Sequence, residues 1–182
     1  MDPKNKVFIA SSIDGYIADE NGGIDFLHSV PNPSNDDMGY SAFMSDIDAI
    51  LMGRNTFEVI CEFDIEWPYT VPVFVLSRKL DSVPDELSDK VHLVSGNPKN
   101  VLEIIHGTGV SQLYIDGAQT IQTFLREDLI DEMTITIIPT ILGSGIPLFN
   151  NLEEMKFKCI ASRHLIGYVA QHKYVRMRSE NV

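Results

Sequence analysis

The chain repeats one pattern: a short apolar run stops at a small or polar residue, and a segment with helical spacing starts at once. In "AILMGRNTFEVI" residues 49–52 are too few for a helix and too apolar for a loop, which predicts a buried strand followed by a helix over 56–61. The same alternation predicts strands at 7–12, 71–77, 91–94, 112–115 and 132–139. It predicts helices at 37–47, from Pro98 until Gly107 and Gly109 end it, and at 118–127, with Asn35 or Asp36 capping the first and Asn97 the second. Strands joined through helices need crossover connections, so the fold expected is a single α/β domain with a mixed, mainly parallel central sheet flanked by helices. The closing segment "KFKCIASRHLIGYVAQHKYVRMR" alternates around Ile166-Gly167, the pattern of an antiparallel hairpin at the sheet edge. One sheet then accounts for the whole chain.

Composition removes several classes of function. A formal net charge of -12 over 182 residues argues against nucleic acid or an anionic membrane surface as partner, because phosphate backbones require clustered Lys and Arg. No apolar run is long enough to span a bilayer, and the start shows no signal-peptide pattern. Cys61 and Cys159 form no C-x-x-C pattern, which favours a cytoplasmic setting. The five histidines are dispersed without metal-ligand spacing, so no metal site is expected. No G-x-S-x-G elbow, G-x-G-x-x-G fingerprint or P-loop is present, so phosphate binding has to be spread over several strand ends. Trp67, in a loop beside Pro68 and Tyr69, either covers a planar ligand or packs, and packing is the better expectation.

In an open α/β sheet, ligands sit beyond the carboxyl ends of the strands, where helix N-termini offer N–H groups and partial positive charge. Gly53 allows close backbone approach to an anion, Arg54 adds charge, and Thr56 either caps the helix or binds a phosphate oxygen. Ser77 and Arg78 end another apolar run, and Asp116-Gly117-Ala118 ends a third. Two basic strand ends in so acidic a chain point to a phosphorylated small molecule.

Taken in order, "IASSIDGYIA", "LMGRNTFE", "VLSRK", "YIDGAQTI" and "LIDEMTITIIPTILGSGIPLF" resemble the dihydrofolate reductase-like superfamily, over nearly the whole chain. Within it the chain is most similar to the riboflavin-biosynthesis reductase domain, with its S-x-D-G-x-I-A start and L-G-x-G-x-P-L-F stretch. The resemblance implies NADPH as cofactor. It implies that Gly53, Arg54, Asn55 and Thr56 hold the adenosine side, and that the strand end Leu76, Ser77 and Arg78 contacts the 2'-phosphate. It further places Ala10 and Ile17 beside the nicotinamide and Gly117, Ala118, Gln119 and Thr120 at the pyrophosphate. Counting back sixteen residues from Gly53 reaches Asp37, matching the substrate carboxylate of the folate enzymes; as a plain helix cap, Asp36 or Asp37 is the alternative.

Two departures shape the expectation. The loop after Ile17 lacks the Pro-Trp pair of the folate enzymes, which speaks against dihydrofolate, and Gly117-Ala118 replaces a usual Gly-Gly, which implies weaker cofactor binding. The zinc deaminase signature is absent, excluding a complete bifunctional riboflavin-pathway enzyme. The function expected is an NADPH-dependent reductase of a small heterocyclic (pterin- or aminopyrimidine-like) or imine substrate, a homodimer by analogy. A non-catalytic nucleotide- or pterin-binding protein on the same scaffold is the alternative.

Overall fold

The computed structural model describes residues 2–63 and 65–178. Its elements in chain order are β1 (Lys4–Ser12), β2 (Tyr16–Ala18), α1 (Tyr40–Met44), β3 (Ala49–Gly53), α2 (Arg54–Glu62), β4 (Val73–Leu76) and β5 (Val91–Val94). There follow α3 (Pro98–Gly107), β6 (Gln112–Asp116), α4 (Ala118–Arg126), β7 (Glu132–Ile138), β8 (Ile146–Pro147), β9 (Phe157–Leu165) and β10 (Val169–Arg176). Short 3-10 turns at Asp25–His28 and Asp85–Leu87 complete them. The main sheet runs β5-β4-β3-β6-β1-β7-β10-β9. Its first six strands are parallel, while β10 lies antiparallel to both β7 and β9.

Period-two alternation divides the strand side chains between two cores. Ile50, Met52, Val73, Val75 and Tyr114 face α1, α2 and the loop carrying Trp67. Leu51, Phe74, Leu113 and Ile115 face α3 and α4 through Val101, Ile105, Ile121 and Phe124. A strand covered on both faces has no polar positions to spare, which is why "AILM" is uniformly apolar and all four residues are fully buried.

Two local expectations are corrected and a third holds. The helix read over 37–47 shrinks to Tyr40–Met44, because Asn35, Met38 and Gly39 all take positive φ and keep the chain turning until Gly39, the N-cap. Thr56 is inside α2 and does not cap it; Gly53 is the N-cap residue. Asn97 caps α3 as expected, its side chain accepting from Asn100 N–H at 2.9 Å.

The sheet is also not alone, since β2 and β8 pair antiparallel in a second, two-stranded sheet. The Asp14 carboxylate ties the two ends together: Oδ1 accepts from Ser12 Oγ (2.6 Å) and Leu142 N–H (3.1 Å), and Oδ2 from Gly143 N–H (2.7 Å). Gly145 lies against the Ala18 carbonyl where no Cβ fits. The two separated stretches "SIDG" and "LGSGIP" are thus halves of one tertiary clamp.

At the opposite end of the sheet, Glu132 accepts from Lys4 (2.6 Å) and Lys173 (2.9 Å). Burial pushes its carboxyl up, but the two lysines outweigh that and hold it below the usual range. The C-terminal hairpin closes as expected, with Tyr168 N–H donating to the Leu165 carbonyl and both Ile166 and Gly167 at positive φ.

Candidate active site

The carboxyl ends of β3, β4, β5 and β6, with Phe8, Ile9 and Ala10 of β1, open on one cleft of about 2060 Å³. The N-termini of α2, α3 and α4 all reach it, at Arg54, Pro98 and Ala118. Three N-termini bring unpaired N–H groups and partial positive charge to one cavity, an arrangement suited to an extended polyanion.

Two of these turns share the spacing G-x-x-T: Gly53 to Thr56 after β3, and Gly117 to Thr120 after the neighbouring strand β6. They interlock. A Cβ on Gly53 would meet Thr120 Oγ1 at 2.9 Å, and one on Gly117 would run into Thr56 Oγ1. Gly117 also takes φ 85 and ψ 134, a conformation that side-chain-bearing residues resist. Neither glycine can be exchanged without moving the other turn's threonine.

The cations of the lining are Arg54, Arg78 and Lys79, at the ends of β3 and β4. Arg54 Nη1 donates to both carboxylate oxygens of Glu58, at 2.8 and 2.9 Å, so part of its charge is already matched. Among the described residues Arg78 makes no salt bridge. The Ser77 hydroxyl beside it accepts from the N–H groups of Lys79 (3.0 Å) and Leu80 (2.9 Å), which fixes the turn that presents Arg78.

Away from those cations the cleft is aromatic and acidic. Phe8 and Tyr114 line it with Tyr69 and Asp116, and Phe43 packs behind them, its ring tilted against Phe8 (centroids 4.9 Å apart) and edge-on to Tyr114 (5.1 Å). The Tyr114 hydroxyl donates to the Phe8 carbonyl at 2.9 Å, bridging the gap between β6 and β1. Burial pushes the Asp116 carboxyl up, against the opposing pull of the Gly117 N–H and the Tyr114 hydroxyl. Burial, with the Asp116 charge, also raises Tyr40, to about 12, and raises Tyr69 and Tyr114, so the phenols stay protonated around one carboxyl group. Trp67 packs edge-on against Phe57 and Tyr69 and does not border the cleft.

The structure brings all the cofactor-side residues named from the sequence to this cleft: Ala10 and Ile17, the Gly53–Thr56 turn, Leu76 with Ser77 and Arg78, and Gly117 through Thr120. It does not bring Asp37 among them. The Asp37 carboxylate lies exposed at the start of α1, accepting from Gly39 N–H and Ser41 N–H, both at 2.8 Å. Those bonds, to the Ser41 side first, hold it below the usual carboxylate range. Its position is that of a cap. Of the acidic residues lining the cleft, the one that burial perturbs is Asp116, which sequence reasoning treated only as the residue before a glycine turn. The available signal was its place at the end of an otherwise apolar strand, where an ionisable residue is costly to bury.

Residues 3–169 match the sequence profile described as the RibD C-terminal domain. The chain is 35% identical over 179 residues to YwjB of Bacillus subtilis (strain 168), an uncharacterised protein, covering 97% of this chain and 99% of that one. A crystal structure from Shewanella sp. PV-4, provisionally described as a riboflavin biosynthesis protein, superposes with a TM-score of 0.93 at 49% identity, covering 96% of this chain and 99% of that chain. The fold is shared with a diaminohydroxyphosphoribosylaminopyrimidine deaminase/5-amino-6-(5-phosphoribosylamino)uracil reductase of Thermotoga maritima, at TM-score 0.72 and 16% identity, with 97% of this chain covering 57% of that one. Profile, relatives and fold agree with the strand-end motifs: the chain belongs to the RibD C-terminal domain family, a reductase-type domain in the dihydrofolate reductase-like fold.

Proposed function

We propose that the chain is an NADPH-dependent reductase of a flat heterocyclic or imine-bearing small molecule. The observation that carries this is the make-up of the cleft: three helix N-termini and Arg78, which makes no salt bridge among the described residues, share it with the rings of Phe8, Tyr69 and Tyr114 and with the Asp116 carboxyl, whose pKa burial raises. The cradle fits a dinucleotide, since the interlocked glycines leave the backbone bare where a pyrophosphate needs close approach. Gly117 through Thr120 would hold that pyrophosphate, the Gly53–Thr56 turn the adenosine side, Ser77 with Arg78 the 2'-phosphate, and Ala10 with Ile17 the nicotinamide. NADPH, when bound, supplies a hydride. The protein's part is to stack the acceptor ring on Phe8 and Tyr114 and to hold a proton on the Asp116 carboxyl for the acceptor nitrogen.

Titration of dinucleotide fluorescence tests the cofactor end. Arg78→Ala is expected to weaken NADPH binding about 10- to 100-fold, the worth of a charge-assisted contact, and to leave NADH unchanged. Arg54→Ala has the smaller effect because Glu58 already shares its charge. Failure of the wild type to bind either dinucleotide sinks the reductase function.

The same proposal includes a homodimer. It is supported by apolar side chains left uncovered beside β7 and β10, where Ile13 and Phe149 border a hollow of about 300 Å³ with Met133 and Tyr174. Sedimentation at several concentrations is expected to give twice the chain mass; a monomer throughout removes this part.

A further inference from the structure

Resting on the reductase function, we infer that Gln122 is a positioning residue: it fixes the β2–β8 wall of the cleft against the helix whose first turn forms half of the cradle. Gln122 stands one turn after Ala118 on the same face of α4, with Arg126 one turn later again. It is 9% exposed although it borders the cleft. Both ends of its amide are used: Nε2 donates to the Pro147 carbonyl at 2.8 Å, and Oε1 accepts from Arg126 Nη2 at 3.4 Å. Arg126 also donates to the carbonyls of Asn150 (3.2 Å) and Asn151 (3.4 Å), so this face of α4 grips the chain just beyond β8 as well.

Pro147 is paired with Tyr16 and Ile146 with Ala18, and Leu148 N–H donates to the Gly15 carbonyl at 2.8 Å. The resulting wall, Ile17 and Ala18 on one strand and Ile146 and Pro147 on the other, lines the cleft together with the Gly117–Thr120 turn. In the proposed function Ile17 meets the nicotinamide and that turn meets the pyrophosphate. Gln122 therefore spans from the helix that begins in the turn to the strand paired with the one carrying Ile17. An apolar side chain of the same length would fill the volume, but a hydrogen bond also fixes direction, and its loss leaves the Pro147 carbonyl without this donor. Released from α4, the wall shifts and the contact at Ile17 is lost, while Arg54, Ser77 and Arg78 stay where they are.

The test compares NADPH with adenosine 2',5'-bisphosphate, which has the adenosine and the 2'-phosphate but no nicotinamide. Both are titrated calorimetrically into the wild type, Gln122→Glu and Gln122→Met. An ionised Glu keeps the size and the Arg126 contact but donates nothing to Pro147; Met keeps the length and brings no charge. The wild type is expected to bind NADPH about tenfold or more tightly than the bisphosphate, and both variants to lower that ratio to about threefold or less with the bisphosphate affinity held within about twofold. A bond that merely supports the fold would weaken both ligands alike. That result, an unchanged ratio, or a wild type that does not favour NADPH over the bisphosphate overturns the inference. Failure of both variants to fold overturns it too, whereas one folded variant suffices for the comparison. A wild type that binds neither ligand strikes instead at the reductase function beneath it.

Discussion

Asp116→Asn is expected to lower kcat by about 10²- to 10⁴-fold, the range for removing a positioned proton donor, while NADPH affinity stays within a few-fold. The carboxyl and its replacement are nearly isosteric, so the aromatic floor of Phe8 and Tyr114 and the Gly117 turn are preserved. In the wild type, activity falls as pH rises through the raised Asp116 pKa, because the donor is then ionised; in the variant that limb disappears. Wild-type stability falls with rising pH as well. The folded-state pKa lies above the unfolded value of about 3.9, so the carboxyl's stabilising contribution is complete below that value and is lost as pH rises through the folded one. At neutral pH the buried group costs stability relative to the unfolded chain, where it ionises freely, and Asn removes the cost. Thermal unfolding should show Asp116→Asn with a higher Tm than the wild type at neutral pH and no advantage near pH 3. A variant with unchanged kcat, or one losing stability at neutral pH, removes Asp116 from the proton-donor role.

The strands of the main sheet were legible because burial on both faces leaves an unmistakable apolar run, as in "AILM" and "VFVL", and because strand-end turns carry small residues. What was not legible depends on contacts between distant residues. The β2-β8 pair is three residues against two, too short to register as periodicity; it exists because Asp14 holds residues 142 and 143. Asp37 matched a family position by counting, yet three positive-φ residues nearby shorten the helix and turn its carboxylate into a cap. Asp116 was hidden by the opposite effect. Its sequence context is an ordinary strand end, and only the folded arrangement of Tyr40, Tyr69 and Tyr114 makes its environment unusual. Burial of a titratable group is a tertiary property.

The interlocked turns give the second large effect. Gly117→Ala is expected to abolish measurable dinucleotide binding, a loss of at least about 100-fold, and to destabilise the fold by about 2–4 kcal/mol. Two costs combine: a side-chain-bearing residue at φ 85 and ψ 134, about 1–3 kcal/mol, and a Cβ forced into the Thr56 hydroxyl. Relief of that contact has to displace the first turn of α2, which carries Arg54 and Asn55 into the cleft, so damage at one strand end spreads to the other. The double variant Gly117→Ala with Thr56→Ala removes the steric part alone and should recover stability by roughly 1 kcal/mol or more without restoring full NADPH affinity, since the backbone strain remains. Gly107→Ala is the matched control. It sits at the end of α3 with nothing within 4 Å of its would-be Cβ, and should leave binding untouched while gaining up to about 1 kcal/mol from the better helix former. Chemical denaturation and fluorescence titration on the three proteins separate the terms: if Gly117→Ala binds NADPH as the wild type does, the two G-x-x-T turns do not form the dinucleotide cradle.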